Sequence, residues 1–381
     1  MNSGNKNIVY DVVITGGGPA GGTAAYFAAK QGMKVLLIEK EKLPRDKTCG
    51  GGLIFKSIDL LPFDLTEIIE KKFYGAVVFV QDIGKKFIAE SSKPVICNVM
   101  RSNFDNFILK KAVKAGAEVL DSIEILSVEN SNSYVEVKSK NKVFRGKYLI
   151  GADGATGITR KFVDKNSLLK IPALESEIFV DKEKFEELSV LPRFDFGFVP
   201  GGYAWVFPKK NHLSVGVLSA GKGINLHNCY RNYLDLLGID NPVSEEKHGY
   251  FIPIQIKNNS IVKGRVLLSG DSAGLADPLI FEGISHAILS GKLAAGIIKK
   301  HFEFPDKVSE LYLKQIKNKI FYENKFAATI ASLIYKRPKI RSFLFKWKGE
   351  KFTDLVTDVS LGDKKYSQLL KSPVNYLKLL K

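Results

Sequence analysis

The chain has 381 residues, 45% of them hydrophobic, which predicts a large core and is typical of two domains rather than one. Its three cysteines are widely spaced, which argues against a disulfide framework, a cysteine zinc site or a four-cysteine iron–sulfur cluster and fits a reducing cytoplasm. A net charge of +17 favours anionic partners, but the sequence has no zinc-finger or RRM motif, so nucleic acid is not expected among them.

Sequence signals for membrane insertion, secretion and metal binding are missing. No run of about 18 apolar residues predicts a transmembrane helix, and the first residues lack the basic and apolar regions of a signal peptide. The five histidines show no metal-ligand spacing, so no metal site is predicted. We therefore expect a cytoplasmic protein, with peripheral membrane contact left open.

The first elements in chain order form a βαβ unit. Residues 9–15 are an apolar, β-branched run that is typical of a buried parallel strand. A glycine-rich turn at 16–18 leads into an alanine-rich helix that stops at Gly32, and a second strand over 34–38 ends at Glu39. Such a unit binds a dinucleotide when its first turn carries glycines at fixed positions.

The first turn has the glycine spacing of the dinucleotide fingerprint. Gly16 permits the tight turn after the strand, Gly18 lets a pyrophosphate approach the backbone, and Gly21 lets the helix pack on the strand. Ala20 lies in the same segment, where the free N–H groups of a helix N-terminus attract phosphate. Glu39 follows Gly16 by 23 residues, at a position where a carboxylate accepts hydrogen bonds from a ribose.

Two later segments favour FAD over NAD as the dinucleotide. In residues 148–155 a strand runs into an Asp-Gly turn, and in residues 265–274 another strand ends in Gly-Asp before a predicted helix. Asp153 in the first turn and Asp271 in the second are placed to bind ribose or ribityl hydroxyl groups. The alternative for each is an ordinary turn between a strand and a helix.

The remaining chain predicts an antiparallel sheet and a helical C-terminal part. Residues 193–219 are expected to form three antiparallel strands with turns at 200–202 and 209–211, and residues 75–97 have the pattern of another hairpin. From residue 303 onward the pattern is mostly helical. The predicted fold class is α/β and α+β, with a Rossmann-like FAD-binding domain, an antiparallel-sheet substrate domain and a helical C-terminal part.

The predicted domain boundaries follow these elements. The ranges are 1–75, 101–164 and 260–303 for a discontinuous FAD-binding domain, 76–100 and 165–259 for a substrate-binding domain, and 304–381 for a helical, basic segment.

The basic charge is concentrated near the C-terminus. Residues 336–381 contain 12 basic and four acidic residues, and they directly follow the apolar run 326–335. Apolar anchors such as Trp347 beside cations favour an interfacial segment that contacts an anionic membrane surface. The alternative is a helix that packs on the domain and has a solvated basic end.

Several motifs together resemble those of a known flavoprotein superfamily, the p-hydroxybenzoate hydroxylase-like flavoproteins. They are GGGPAG at 16–21, CGGG at 49–52, GADGA at 151–155 and GDSAG at 270–274. Within that superfamily the chain is most similar to the geranylgeranyl reductases, over residues 8–300. The segments that carry this closer resemblance are KTCGGGL at 47–53, RSNFD at 101–105 and PGGYAWVFP at 200–208.

The resemblance implies roles for individual residues. Those implied for the cofactor are Cys49, Gly50, Arg101, Gly283 and Ile284, and those implied for a lipid substrate are Tyr203, Trp205 and Phe207. One departure is Phe281, because the family usually has a glycine there, beside the expected flavin ring. Simpler alternatives are that Cys49 only packs in its loop, that Arg101 pairs with a surface carboxylate, and that the three aromatic residues form a core face.

The implied activity is that of an FAD-dependent reductase that saturates carbon–carbon double bonds of a polyprenyl (geranylgeranyl) lipid by hydride transfer from reduced flavin. Cys49 is the candidate catalytic residue, because a thiol beside the flavin can supply a proton. The implied partners are the polyprenyl lipid and an external electron donor, which could be NADPH, ferredoxin or a deazaflavin. Two other functions stay open: a flavin-dependent monooxygenase or halogenase of the same fold, and a membrane-surface binding protein with a vestigial flavin site.

Overall fold

The structure is a computed structural model that describes residues 9–166, 168–255 and 260–371. Parts of the predicted domains, and the end of the basic C-terminal segment, lie outside the described residues. These parts are residues 1–8, 167, 256–259 and 372–381.

The strands are named here in chain order. They are β1 (Val9–Thr15), β2 (Val35–Ile38), β3 (Gly52–Ile54), β4 (Ile69–Phe73), β5 (Gly75–Val80), β6 (Lys85–Glu90), β7 (Ile96–Val99), β8 (Glu118–Leu120), β9 (Ser127–Asn130), β10 (Val135–Lys138), β11 (Val143–Gly151), β12 (Leu169–Phe179), β13 (Arg193–Phe196), β14 (Gly202–Pro208), β15 (Leu213–Ser219), β16 (Ser244–Ile254), β17 (Val262–Lys263) and β18 (Val266–Leu268).

The helices are named in the same way. They are α1 (Pro19–Lys30), α2 (Phe55–Asp59), α3 (Arg101–Lys114), α4 (Ile158–Val163), α5 (Lys182–Leu188), α6 (Leu226–Leu237), α7 (Ile284–Lys300), α8 (Pro305–Ile316), α9 (Tyr322–Lys336), α10 (Pro338–Leu361) and α11 (Tyr366–Lys371). A π-helical segment, Lys317–Phe321, joins α8 to α9.

The first sheet has the Rossmann-like core that the βαβ pattern predicts. Its parallel strands lie in the order β18-β11-β1-β2-β8, and β9, β10 and β17 extend it with antiparallel pairs. Val12, Val13 and Ile14 in β1 are fully buried, as expected for a central strand covered on both faces. Helix α1 packs between α3 and α7 on this sheet, so its N-terminus lies at the carboxyl end of β1.

The second sheet confirms the predicted meander. β13, β14 and β15 pair antiparallel, and the order is β16-β12-β15-β14-β13-β5-β6. The β5–β6 hairpin joins this sheet through a parallel pairing of β5 with β13. One face, with Leu174 and Ile178, packs on α6, and the other, with Ile171 and Trp205, packs on α9 and α10.

A third, smaller sheet limits the predicted hairpin over 75–97. The hairpin ends at Glu90, and β7 pairs instead with β3 and β4. All four residues of β7 are buried, so the strand needs neighbours on both sides, and the strand after the CGGG loop supplies one of them. The predicted domain boundary at residue 76 thus assigns β7 to one domain and its partners β3 and β4 to the other. The domain division stays a prediction.

The C-terminal part is helical, as predicted, but the apolar run 326–335 is packed inside. Ala327, Ile330 and Ile334 on α9 are buried in the core beside the second sheet, which matches the alternative of a domain-packing helix. The exposed aromatic residues are instead Phe343 (61%) and Trp347 (46%) on α10, with ring centroids 5.7 Å apart. Over the described stretches, each helix is too short or too polar to cross a bilayer.

Gly291 on α7 permits the close contact with α1. A Cβ atom at this position would overlap the carbonyl oxygen of Ala20, so Gly291→Ala is expected to force the helices apart. We expect the free energy of unfolding, measured by urea denaturation, to fall by about 1–3 kcal/mol. The matched control is Gly296→Ala on the same helix, where a Cβ meets nothing within 4 Å. The control is expected to gain up to about 1 kcal/mol, and equal losses in both variants would contradict the contact.

Candidate active site

A cavity of about 450 Å³ is lined both by residues that follow strands of the first sheet and by side chains of the second sheet. Of the residues predicted for cofactor and substrate, all except Gly21 line it. They are Gly16, Gly18, Ala20, Glu39, Cys49, Gly50, Arg101, Asp153, Tyr203, Trp205, Phe207, Asp271, Gly283 and Ile284. Gly21 lies behind them, and a Cβ there would overlap the carbonyl oxygen of Gly16, so it permits the helix–strand packing predicted for it.

The N-terminus of α1 is open toward the cavity. Gly18 is the residue before the helix, and no side chain caps the first N–H groups. A Cβ atom at Gly18 would meet only a guanidinium nitrogen of Arg45, at 3.5 Å, so the space in front of the turn is free. Uncapped N–H groups and a nearby cation are what a pyrophosphate needs, and this segment therefore fits the diphosphate of FAD.

Glu39 is fixed by a buried network of charges. Its carboxylate accepts a 2.6 Å hydrogen bond from the N–H of Gly17 and lies 3.4 Å from Arg45 Nε. Arg45 continues to Asp105 at 3.1 Å, and Asp105 accepts hydrogen bonds of 3.0 and 2.8 Å from Arg101. Burial would lower the pKa of Arg101, but the Asp105 carboxylate outweighs it and raises the pKa. The carboxylate that pairs with Arg101 is therefore buried, not on the surface.

Lys47 is a cation in the cavity that sequence reasoning did not select. Its Nζ lies 2.8 Å from the ring centroid of Tyr250, whose hydroxyl donates to Asp271 at 3.3 Å. Burial lowers the pKa of Lys47 to about 7; the Asp271 carboxylate opposes this shift, and the charge of Arg101 adds to it. Lys47 can therefore exist in either protonation state near neutral pH, within reach of the predicted ribityl-binding carboxylate.

Asp153 has structural partners of its own. Its carboxylate accepts hydrogen bonds from the backbone N–H of Thr159 at 3.0 Å, from the Thr159 hydroxyl and from the Ser272 hydroxyl at 3.1 Å. It thus ties the end of β11 to α4 and to the turn after β18. Its predicted contact with a cofactor hydroxyl stays a prediction.

The CGGG loop is held against the second sheet. The buried Lys209 donates hydrogen bonds to the carbonyl oxygens of Gly50 at 2.7 Å and Val99 at 2.8 Å. A Cβ at Gly50 would lie 2.8 Å from the Phe207 ring and 2.9 Å from Trp205 Nε1, so only glycine fits there. The sulfur of Cys49 accepts a weak, 3.4 Å hydrogen bond from within the loop and lines the cavity.

The aromatic residues of β14 are shielded from bulk solvent, and their side chains line the cavity. Tyr203 and Trp205 are 5% and 6% accessible, and the Tyr203 hydroxyl donates to the carbonyl of Ile280 at 2.8 Å. Phe281 packs 6.0 Å from the Tyr203 ring and has a positive φ of 54°, a glycine-like conformation at the position where a glycine was expected. The indole N–H of Trp205 has no hydrogen-bond partner among the described residues, which leaves a buried donor for a ligand.

Sequence reasoning missed several polar residues of this site. They are Arg45, Lys47, Asp105, Glu175 and Lys209, of which all but Asp105 and Lys209 line the cavity. Lys47 and Asp105 lie inside motifs that were recognised, and Glu175 lies two residues from a second carboxylate in a strand that is mostly apolar. These patterns could have drawn attention to the residues. The sequence did not show that the residues are buried, because burial depends on contacts between distant segments.

Comparison with known proteins gives the family. The FAD binding domain family matches residues 9–170. Digeranylgeranylglycerophospholipid reductase 3 of Methanosphaera stadtmanae is 30% identical over 380 residues, covering 91% of this chain and 90% of that protein. The chain belongs to the geranylgeranyl reductase family. The resemblance seen in the motifs is confirmed, and the protein is an FAD-dependent oxidoreductase.

Solved structures agree with this assignment. A geranylgeranyl bacteriochlorophyll reductase-like protein from Thermoplasma acidophilum superposes with a TM-score of 0.75 at 26% identity, covering 98% of this chain and 96% of that one. A flavin-dependent brominase superposes with a TM-score of 0.71 at 21% identity, covering 93% and 94%. The predicted fold class is therefore confirmed, and halogenases share the fold of this geranylgeranyl reductase family member.

Glu39→Arg is expected to weaken FAD binding by at least about tenfold, or about 1.4 kcal/mol. The long cation would replace the acceptor that fixes Gly17 and would stand at the predicted ribose position. The measurement is the FAD released per protein on denaturation, with circular dichroism to establish that the apoprotein is folded. Glu124→Arg, an exposed site with the same charge change, is the control. A folded Glu39→Arg variant with a full complement of FAD would contradict the assignment.

Proposed function

We propose that the protein reduces carbon–carbon double bonds of a polyprenyl (geranylgeranyl) lipid by hydride transfer from reduced FAD. The observation that carries the proposal is the cavity, because it joins the FAD-binding segments to an apolar wall. That wall includes Tyr203, Trp205 and Phe207 from β14, together with apolar side chains of β5, β13 and α10. An isoprenoid chain has no polar groups to recognise, so a wall of this kind suits it. The name of the Methanosphaera relative supports the same substrate class.

The chain's own residues would bind, orient and protonate. When bound, FAD supplies the hydride. Glu39 and the N-terminus of α1 hold the cofactor's adenosine and diphosphate part, and the aromatic wall holds the alkene and keeps water away. Cys49, in the loop that Lys209 fixes, donates the proton that the second alkene carbon requires. An external donor, which could be NADPH, ferredoxin or a deazaflavin, reduces the flavin beforehand.

The decisive experiment uses photoreduced, oxygen-free enzyme mixed with a polyprenyl substrate in a single turnover. Cys49→Ala is expected to keep FAD but to slow flavin reoxidation by at least about tenfold, which corresponds to about 1.4 kcal/mol on the barrier. Cys49→Ser should retain more activity, because the hydroxyl keeps a donor. The control is Cys229→Ala on α6, outside the cavity, with an expected rate equal to wild type.

Three outcomes separate the alternatives. Wild-type enzyme that is reoxidised by the lipid with addition of two hydrogens per double bond supports the reductase. If the lipid does not reoxidise the flavin, and a flavin hydroperoxide accumulates on exposure to oxygen, the monooxygenase or halogenase is favoured instead. If Cys49→Ala reacts at the wild-type rate, the thiol only packs in its loop.

We also propose peripheral contact with an anionic membrane, because the proposed substrate carries a long apolar polyprenyl chain. Helix α10 carries the exposed Phe343 and Trp347 before a kink at Lys348, and Phe352 and Val356, which line the cavity, after it. A lipid entering along this helix would pass from the surface to the aromatic wall. Each lysine near an anionic surface adds about 1 kcal/mol to binding.

The double variant Phe343→Ser, Trp347→Ser is expected to lose flotation with anionic vesicles, because the apolar anchor is removed while the lysines stay. Vesicle flotation at low and high salt measures this. Phe304→Ser, which changes an exposed phenylalanine (64%) outside α10, is the matched control. Wild-type binding that is equal for neutral and anionic vesicles and insensitive to salt would refute the membrane contact.

A further inference from the structure

Two carboxylates on β12 face the same way as the aromatic wall. Glu175 and Glu177 are two residues apart, so they lie on one face of the strand. Glu175 is 1% accessible and lines the cavity. Its partner on β15 is Gly216, where a Cβ would overlap the Trp205 ring, so Glu175 stands next to the indole across the sheet. A fully buried glutamate is rare without a dedicated environment.

A series of polar side chains connects these carboxylates to the protein surface. The Ser214 hydroxyl donates to Glu175 at 2.9 Å, and Nε2 of His212 lies 3.0 Å from the Glu177 carboxylate. Nδ1 of His212 is 3.0 Å from the side-chain oxygen of Asn211, which is exposed in the turn between β14 and β15. The side chains of Glu177 and His212 are 15% and 8% accessible, so solvent reaches the outer end of the series.

The two carboxylates hold different charges. Burial and the Glu177 charge raise the pKa of Glu175 to about 8. Burial acts in the same direction on Glu177, but contact with His212 and the charge of Lys209 outweigh it and lower its pKa. At neutral pH, Glu175 therefore holds a proton and Glu177 is ionised, since two adjacent buried carboxylates do not both ionise readily.

Other titratable groups surround the pair on each neighbouring element. Lys209 follows β14, Tyr230 comes from α6, and His248 lies opposite Glu175 in the register of β16. The charge of Glu70 also acts on Lys209, which donates a hydrogen bond to the carbonyl of Gly50. The ammonium of Lys209 thus lies between the carboxylate pair and the loop that carries the thiol.

We propose that His212, Glu177 and Glu175 form a proton path that refills the cavity after each reduction. This inference rests on the proposed function. In one turnover the alkene π bond breaks and two C–H bonds form, one with the hydride of reduced FAD and one with the Cys49 proton. Once the product has left, the Glu175 carboxyl returns a proton to the thiolate through water that enters the emptied cavity, and the Trp205 N–H can donate a hydrogen bond to that water. Solvent reprotonates Glu175 through His212 and Glu177.

The test separates the first turnover from later ones. Glu175→Gln keeps the side-chain shape, and its amide oxygen can still accept the Ser214 hydrogen bond, but it has no acidic proton to transfer. The first turnover should run at the wild-type rate, because the proposed proton donor, Cys49, is unchanged, and repeated turnover should slow by at least about tenfold. Glu186→Gln on α5, a 67% exposed site, should match wild type in both phases. His212→Ala should also slow only repeated turnover, and added imidazole should restore it.

A second measurement needs no substrate. Infrared titration of the FAD-loaded protein should show a protonated buried carboxyl at neutral pH. Because the pKa of Glu175 is raised, this signal is present below it and is lost as pH rises through about 8. The signal should be missing in Glu175→Gln and kept in Glu186→Gln.

Each outcome decides one of the two proposals. If Glu175→Gln turns over repeatedly at the wild-type rate, or the carboxyl signal is missing from wild type at neutral pH, the proton path is wrong and the reductase can stand. If wild type fails to oxidise in the first turnover with lipid, the proposed function is wrong, and the infrared titration alone then decides whether Glu175 stores a proton. A Glu175→Gln protein that does not fold leaves the decision to His212→Ala and imidazole.

Discussion

The ammonium group of Lys209 connects the two halves of the site. It is fully buried, and its hydrogen bonds to Gly50 and Val99 fix the CGGG loop against the end of β14. Burial lowers the pKa of Lys209, while the charge of Glu177 is the largest effect that opposes that shift. An unpaired buried charge costs several kcal/mol, and the charge of Glu177 offsets part of that cost for Lys209. The position of Cys49 therefore depends on acidic residues of the other sheet.

Close contact between glycines and aromatic rings sets the shape of the cavity. The rings of Trp205 and Phe207 occupy the space that a Cβ at Gly50 would need. At Phe281 the situation is the opposite, because a bulky residue occupies a backbone position that favours glycine. Its left-handed conformation costs about 1–2 kcal/mol. Its buried ring lies 5.6 Å from that of Tyr335, and burial of a phenylalanine contributes about 1.5–3 kcal/mol, which offsets the strain. The backbone of the expected glycine is kept, while its flexibility is lost and the space is filled.

Local patterns predicted the parts of the fold that depend on neighbouring residues. The βαβ unit and the β13–β15 meander follow from periodicity and turn residues, and the site residues in glycine-rich motifs were found because backbone shape restricts them. The parallel pairing of β5 with β13 joins segments more than a hundred residues apart, and no local pattern encodes it. The true place of β7 was missed for the same reason.

Buried charges were the least predictable feature. Lys209 and Glu175 have the residue types of a solvated surface, and only tertiary contacts show that they are inside. Asp153 shows the opposite difficulty, since its turn was recognised but its carboxylate is held by Thr159, six residues later in the chain. Side-chain hydrogen bonds of this kind depend on the final position of each loop. These hydrogen bonds are therefore seen in the structure, but the sequence pattern does not predict them.

The fold alone does not choose between reduction and halogenation, because a brominase shares it. The choice depends on what surrounds the flavin. In the proposed reaction, addition of hydride to an isolated alkene consumes one proton per turnover. Apolar side chains cannot supply that proton, so a titratable group must do so. Under the proposed function, the Cys49 thiol in the loop fixed by Lys209 and the buried Glu175 carboxyl at the wall would supply that proton together. In the proposed mechanism, the acidic pair on β12 would therefore connect the lysine that positions the loop with the proton that each reduction consumes.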